Sequence, residues 1–180
     1  MIANGQEFKR FIEDRSDKPD IICIQETWLK NQLDCIVYGY VSIRRDRVEV
    51  GGRCATFIKE GVPYRVLGKG QEKDYVVVEV WGAGGALVII NFYNPCNKLE
   101  LNKLMRIEGQ DRRKIVWCGD FNSHNTLWGG ERTDSNGQIV EEVMEEKGLV
   151  CLVPGGLGVG KWVFEKAKWD KSLTLCEQKK

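Results

Sequence analysis

The sequence has little histidine, little net charge and no long apolar run. A single histidine, His124, stands among 180 residues, and the formal net charge is +1. A charge near zero neither requires nor excludes a nucleic-acid partner, because a local basic patch can bind phosphates. Apolar runs stay within about ten residues, too short for a membrane-spanning helix. The first residues lack the basic and apolar regions of a signal peptide, so we expect an intracellular protein, nuclear or cytoplasmic, with no membrane partner.

Paired cysteine motifs are also absent. Seven cysteines are present, an odd number, and no two of them form a C-x-x-C pair. A structural zinc site needs clustered cysteine and histidine ligands, whereas these residues are scattered along the chain. Most of the cysteines lie in apolar, strand-like runs. This pattern predicts reduced thiols in the core of an intracellular protein.

The apolar pattern predicts one α/β domain over about residues 4–153. Helical spacing predicts helices at about 6–14, 98–107 and 139–144, with Gly148 ending the last one. Apolar and β-rich runs predict strands at 21–24, 37–43, 54–58, 75–81, 87–93, 115–118 and 149–153. The segment 154–180 is rich in glycine and lysine and has no clear period. We expect it to be a divergent, disordered tail.

Two acidic residues each lie two positions after the last residue of a buried apolar run. Glu26 comes after the run 21–24, and Asp120 comes after the run 115–118. Asp120 and Asn122 are two residues apart, so in an extended chain their side chains face the same side. A carboxylate and a carboxamide on one face suit a hard cation and a polar substrate. Spacing alone leaves open that Glu26 and Asp120 are solvated residues at turns.

Three motifs in a fixed order strengthen the functional interpretation. Residues 21–28, Ile-Ile-Cys-Ile-Gln-Glu-Thr-Trp, resemble the first signature of the endonuclease/exonuclease/phosphatase superfamily, and residues 119–122, Gly-Asp-Phe-Asn, resemble a later one. Residues 91–95, Asn-Phe-Tyr-Asn-Pro, lie where that family places a strand ending in an active-site tyrosine. Residues 123–129, Ser-His-Asn-Thr-Leu-Trp-Gly, are similar to the version found in endonuclease domains of non-LTR retrotransposons. The resemblance covers about residues 6–152.

The resemblance implies a four-layer α-β-β-α sandwich and metal-dependent phosphodiester chemistry on DNA. Glu26 would help to hold a divalent cation, Mg²⁺ or Mn²⁺, and Asp120 would orient or activate the attacking water. Asn122 would bond the phosphate or help to fix Asp120. Tyr93 would contact the scissile phosphate and its developing charge.

Two residues that the family uses have no counterpart in this sequence. The family carries a histidine near its C-terminus after an aspartate, but Asp170, the only aspartate after residue 152, precedes Lys171. His124 lies where the retrotransposon subgroup places a different histidine, and we interpret it as a hydrogen-bonding loop residue. The family's metal-binding asparagine on its first strand is also missing, because Asn4 fits a helix cap or turn better. An acid–base group is typically worth about 10²–10⁴ in rate. We therefore expect an incomplete domain with weak or no activity.

Three functions stay open at this stage. The first is a Mg²⁺-dependent DNA endonuclease derived from a retrotransposon, and the second is a non-catalytic nucleic-acid-binding relic. The third is a phosphatase or RNA nuclease of the same superfamily. Two basic clusters, at 44–47 and 112–114, either contact a phosphate backbone or are solvated faces.

Overall fold

The computed structural model describes residue 10, residues 12–27, 36–44, 54–70, 74–107 and 114–152, and the backbone of two further strands at 161–165 and 175–177. Within these residues the chain forms ten strands, two helices that are described over their whole length and one 3-10 turn, Thr126–Trp128. In chain order they are β1 Ile21–Ile24, β2 Tyr40–Arg44, β3 Ala55–Lys59, β4 Tyr64–Lys69, β5 Asp74–Gly82, β6 Gly85–Tyr93, α1 Leu101–Met105, β7 Lys114–Asp120, α2 Ser135–Lys147, β8 Val150–Cys151, β9 Lys161–Glu165 and β10 Leu175–Glu177.

The strands form two sheets. The first has the order β10-β1-β3-β2, and the second has the order β4-β5-β6-β7-β9-β8. In the second sheet β5 and β6 form an antiparallel hairpin that closes at the pair Gly82 and Gly85. Strand β7 then lies parallel to β6, and it is reached through α1, as a parallel pair requires a crossover. This crossover brings the carboxyl ends of β6 and β7 to the same edge of the sheet.

Three apolar clusters define the layers. One cluster lies between the sheets and includes Ile21 of β1, Val78 of β5 and Val116 of β7. A second cluster packs the other face of the second sheet against the helices, through residues such as Trp117 and Val140. A third covers the outer face of the first sheet. The predicted α/β sandwich is confirmed.

Helix α2 has a capping residue at each end. The Asp134 side chain accepts a hydrogen bond from the Gly137 backbone N–H at 2.7 Å, which caps the N-terminus. Gly148 ends the helix at φ +63°, in the left-handed conformation that glycine adopts without strain. The predicted helix and its termination at Gly148 are therefore confirmed. Of the predicted helix 6–14, the described residues 10, 12 and 13 are helical.

Two features of the sheets differ from the sequence prediction. Strand β4 was not predicted, because it lies at a sheet edge with nearly all of its side chains exposed and so lacks a buried apolar stripe. Strands β9 and β10 fall in the segment 154–180, where we expected no regular structure. Each pairs with a central strand, β9 with β7 and β10 with β1. Neighbouring strands offer backbone partners, and this tertiary context outweighs the weak local pattern.

None of the described cysteines forms a disulfide, and most of them are in the core as predicted. Cys23, Cys54 and Cys118 are buried, and Cys151 is partly buried. Cys96 is exposed, which corrects the prediction at that position. It follows β6 in a loop, beyond the last core residue of the strand. Cys35 and the Cys176 side chain lie outside the described residues.

In the part of the chain described above, no helix is both long and apolar enough to cross a membrane.

Candidate active site

The carboxyl ends of β6 and β7 place Tyr93 beside Asp120. The two residues are register partners in the parallel pair, and the Asn94 N–H donates to the Asp120 carbonyl oxygen at 2.8 Å. Val116 and Cys118 of β7 face the core between the sheets, so the alternation of the strand turns Asp120 to the same inner face. Both side chains are 5% exposed. A phenol and a carboxylate therefore meet at one edge of the sandwich.

Glu26 reaches the same place from the first sheet. It follows β1 and has a left-handed backbone, with φ +55°. The Tyr93 hydroxyl donates to its Oε1 atom at 3.4 Å. The structure therefore brings together three of the four predicted site residues, from strands that are far apart in the sequence.

Gly119 is required by the close approach of β7 to β6. Its φ is +156°, and a Cβ atom at this position would lie 1.9 Å from the carbonyl oxygen of Phe92. No side chain fits there, because the contact is with backbone rather than with a flexible side chain. The glycine of the Gly-Asp-Phe-Asn motif thus sets the spacing that places Asp120 beside Tyr93.

Asn122, the fourth predicted residue, holds the loop after β7. Its backbone N–H donates to Oδ1 of Asp120 at 3.1 Å, and its Nδ2 donates to the Asn94 carbonyl oxygen at 2.6 Å. Its φ is +45°, a conformation that asparagine tolerates better than most residues. Of the two predicted roles, this geometry matches the fixing of Asp120 through a hydrogen bond. The catalytic roles themselves remain predictions.

The environment of Tyr93 keeps its phenol protonated. Burial raises the pKa of Tyr93 above its ordinary value, and the negative charges of Glu26 and Asp120 raise it further. The neutral phenol is a hydrogen-bond donor. At neutral pH Tyr93 can therefore donate to an anionic oxygen, such as that of a phosphate.

Glu26 and Asp120 are the residues that could hold a cation. Both carboxylates lie near enough to the Tyr93 phenol for their negative charges to raise its pKa. Mg²⁺ is commonly bound through one or two carboxylates, with waters and substrate oxygens completing its shell. Among the described residues there is no group of three or more His, Cys, Asp or Glu side chains arranged to hold a metal. The residues present therefore fit a sparse Mg²⁺ or Mn²⁺ site better than a zinc site, which needs more protein ligands.

Two buried polar residues near the site were not singled out in the sequence. Asp74 is the register partner of Tyr93 on β5 and is 1% exposed. Asn91 lies on β6, two residues before Tyr93, and is also buried. The signal available in the sequence was a polar residue within an apolar strand. Asn91 is two positions before Tyr93, so the two side chains share one face of the strand. The importance of such a residue depends on the register with neighbouring strands, which the sequence does not display.

His124 pairs with Asp134. Its Nδ1 atom lies 2.9 Å from Oδ2 of Asp134, and its backbone N–H donates to the same oxygen at 3.1 Å. Burial acts to raise the pKa of Asp134, but hydrogen bonds from Gly137 and His124 outweigh it and lower the pKa. These contacts match the interpretation of His124 as a hydrogen-bonding loop residue. Of the basic clusters, residues 45–47 and 112–113 lie outside the described residues.

Comparisons with known proteins agree with the motifs. Residues 87–159 match the family model described as Endonuclease-reverse transcriptase. The structure is similar to the endonuclease domain of TRAS1, a telomere-specific non-LTR retrotransposon, with a TM-score of 0.69 and 18% identity over 89% of this chain and 76% of that one. No curated protein matches at the sequence level.

Two bacterial structures share the fold at lower similarity. One is the 3′-5′ exonuclease NExo of Neisseria meningitidis, with a TM-score of 0.51 and 12% identity over 89% of this chain and 80% of that one. The other is an endonuclease/exonuclease/phosphatase family protein of Leptotrichia buccalis, with a TM-score of 0.50 and 13% identity over 98% and 86%. The resemblance in the motifs is confirmed: the chain has the fold of the endonuclease/exonuclease/phosphatase superfamily, and its residues 87–159 match the Endonuclease-reverse transcriptase family.

Proposed function

We propose that this chain is a Mg²⁺- or Mn²⁺-dependent phosphodiesterase domain that nicks DNA slowly. The observation that carries the proposal is the meeting of Tyr93, Asp120 and Glu26 at one edge of the sandwich. Its fold is also the fold of an endonuclease domain from a non-LTR retrotransposon. This similarity of fold favours DNA as the partner of the present chain.

Each residue of the site has a distinct task in the proposed reaction. Tyr93 is held protonated, and its single O–H donates to Glu26 in the substrate-free chain. With Glu26 holding the cation, the same O–H would donate instead to an oxygen of the scissile phosphate. Asp120 is fixed by the Asn122 N–H and accepts a hydrogen bond from the attacking water, which orients that water. Glu26 would hold the cation, and a bound Mg²⁺ polarises the phosphoryl oxygen.

We expect low activity because the described site contains no histidine to act as an acid or base. The sequence contains one histidine, and its imidazole is hydrogen-bonded to Asp134 at the start of α2. A positioned acid–base group commonly contributes about 10²–10⁴ in rate. We therefore expect nicking slower by about that factor than in a nuclease with a dedicated histidine.

A nicking assay on supercoiled plasmid tests the proposal. The 180-residue chain, its Asp120→Asn variant and a His124→Ala control would be incubated with Mg²⁺, and with EDTA in parallel. We expect nicking by the parent and by His124→Ala, its loss in EDTA, and a decrease of about 10²-fold or more in Asp120→Asn. Nicking at equal rates by the parent and Asp120→Asn would contradict the proposal.

A second candidate function is nucleic-acid binding without turnover. The pairing of His124 with Asp134 favours it, since the one histidine then serves the loop. This function predicts DNA binding that weakens steeply as salt increases, with no nicking in Mg²⁺. Salt titration of binding to a labelled duplex, run beside the nicking assay, separates the two functions.

A further inference from the structure

A second polar connection joins the two sheets next to the contact between Glu26 and Tyr93. Asn91 lies two residues before Tyr93 on β6, so both side chains point to the inner face. The Asn91 side chain is fully buried, and its Oδ1 accepts a hydrogen bond from Nε2 of Gln25 at 2.8 Å. Gln25 directly precedes Glu26. The same two stretches of chain are thus joined twice, once by a buried amide pair and once by the site residues.

The amide nitrogen of Asn91 anchors this connection to the first sheet. Nδ2 donates to the carbonyl oxygen of Ala55 at 3.0 Å and to Oγ1 of Thr56 at 3.2 Å, with the carbonyl oxygen of Ile24 at 3.4 Å. Ile24 and Ala55 form the last pair of the β1–β3 ladder. A buried carbonyl without a partner is costly, so an amide donor suits the place where this ladder ends. Asn91 is therefore held rigidly from both sheets.

Glu26 needs support of this kind. Its φ of +55° is uncommon for a residue with a long side chain, and such a conformation persists only where the surroundings maintain it. Gln25 is 5% exposed, and its hydrogen bond to Asn91 prevents the residue before Glu26 from turning outward. Without that bond, residue 26 could return to an ordinary backbone conformation. Its carboxylate would then move away from the Tyr93 hydroxyl.

We propose that Asn91 is a positioning residue: through Gln25 it holds Glu26 in the left-handed conformation that places the carboxylate against Tyr93. The inference rests on the proposed function, in which Glu26 holds the cation. Hydrogen-bonding partners behind metal ligands commonly change metal affinity by about 10–100-fold when they are removed. Loss of the bond between Asn91 and Gln25 should accordingly weaken cation binding.

The variant Gln25→Met isolates the effect. Methionine has a similar length but no donor, and it leaves the bonds from Asn91 to the first sheet in place. It leaves Oδ1 of Asn91 without its donor, but it also removes Oε1 of Gln25, a buried oxygen with no hydrogen-bond partner among the described residues. These two effects oppose each other, so the stability should change little. Asn91→Leu breaks the connection from the other side and removes the anchoring bonds as well. Ile89→Val is the matched control, because Ile89 is buried on the same strand and the same inner face.

Three measurements on the 180-residue chain decide the proposal. They are the urea midpoint, the HN–Hα coupling and ¹³C shifts of residue 26 in metal-free protein, and Mn²⁺ affinity from the EPR signal of free Mn²⁺. For Gln25→Met we expect a parent-like midpoint, loss of the left-handed signature at residue 26, and Mn²⁺ binding weaker by about 10-fold. Ile89→Val should lower the midpoint alone, whereas Asn91→Leu should change all three.

A purely structural role for Asn91 predicts a different result. Gln25→Met would then keep both the parent coupling at residue 26 and the parent Mn²⁺ affinity, and this result would overturn the proposal. Should the parent chain bind no Mn²⁺, the proposed function fails. The coupling at residue 26 would still show whether the amide pair sets the conformation of Glu26, so the two failures are distinguishable.

Discussion

Replacement of Gly119 by alanine tests the strand arrangement on which the site depends. The new Cβ atom would lie 1.9 Å from the carbonyl oxygen, 2.8 Å from the carbonyl carbon and 3.0 Å from the backbone nitrogen of Phe92. All three atoms belong to the backbone of β6, so no side-chain rotation relieves the contact. Gly85, the first residue of β6, is a matched control: its φ is +96°, and a Cβ there would meet no atom within 4 Å.

The expected losses of stability differ because only Gly119→Ala creates a steric contact with the backbone of β6. Each places an alanine in an unfavourable backbone conformation, which costs about 1–3 kcal/mol. Gly119→Ala must in addition separate β6 from β7, and overpacking of this kind typically costs about 1–3 kcal/mol more. We therefore expect a loss of about 2–6 kcal/mol for Gly119→Ala and about 1–3 kcal/mol for Gly85→Ala. A whole domain is stable by only about 5–15 kcal/mol, so the first variant should be close to unfolding.

Urea unfolding measures this difference. Trp117 and Trp128 are both buried in the second sheet's outer core, so tryptophan fluorescence should follow global unfolding. The parent and the two variants would be compared at equal m-values. If Gly119→Ala is no less stable than Gly85→Ala, then β6 and β7 do not approach as closely as described. In that case the register that places Tyr93 beside Asp120 is wrong.

Two further predictions concern ion pairs. Asp134→Ala should destabilise the chain by about 1–2 kcal/mol, because Asp134 caps α2, whereas Asp134→Asn should keep most of the cap. Because the folded pKa of Asp134 is lowered, the stability that its charge provides should be present above the ordinary value of 3.8 and lost as pH falls through the folded pKa. Urea midpoints of the parent and Asp134→Asn measured from pH 7 to pH 3 should therefore converge; parallel curves would contradict this. Arg65→Ala should cost about 1.5–3 kcal/mol, because Arg65 donates to the buried carboxylate of Glu79 at 2.5 Å. The exposed Lys103→Ala should cost at most about 0.5 kcal/mol in the same assay, and equal losses would refute the reasoning.

The sequence predicted the candidate site residues where they lie in short local motifs at the ends of strands. Glu26 and Asp120 follow buried runs of four residues, and such runs predict the strands and therefore the positions of their ends. Tyr93 ends a long β-rich run in the same way. The structure brings these three residues together, although the roles proposed for them stay predictions.

The remaining features depend on tertiary register. Asp74 and Asn91 look like isolated polar residues within strands, and only their partners on neighbouring strands show that they lie at the site. Strand β4 lies at an edge with few buried side chains, so its sequence carries little apolar alternation. Strand β9 depends on the backbone of β7 for its pairing. Propensity and periodicity do not encode these long-range partners.

The central claim is that Tyr93 and Asp120 belong to one active site, and the nicking rate of a double variant tests it most directly. Tyr93→Phe and Asp120→Asn would be assayed separately and combined, on supercoiled plasmid with Mg²⁺. If Asp120 orients the water that attacks the phosphate bound by Tyr93, the two residues act in one step. Their effects are then not additive, and the double variant should be no slower than the slower single variant. Rates that fall by the product of the two single effects would show independent actions. They would contradict an active site shared by Tyr93 and Asp120.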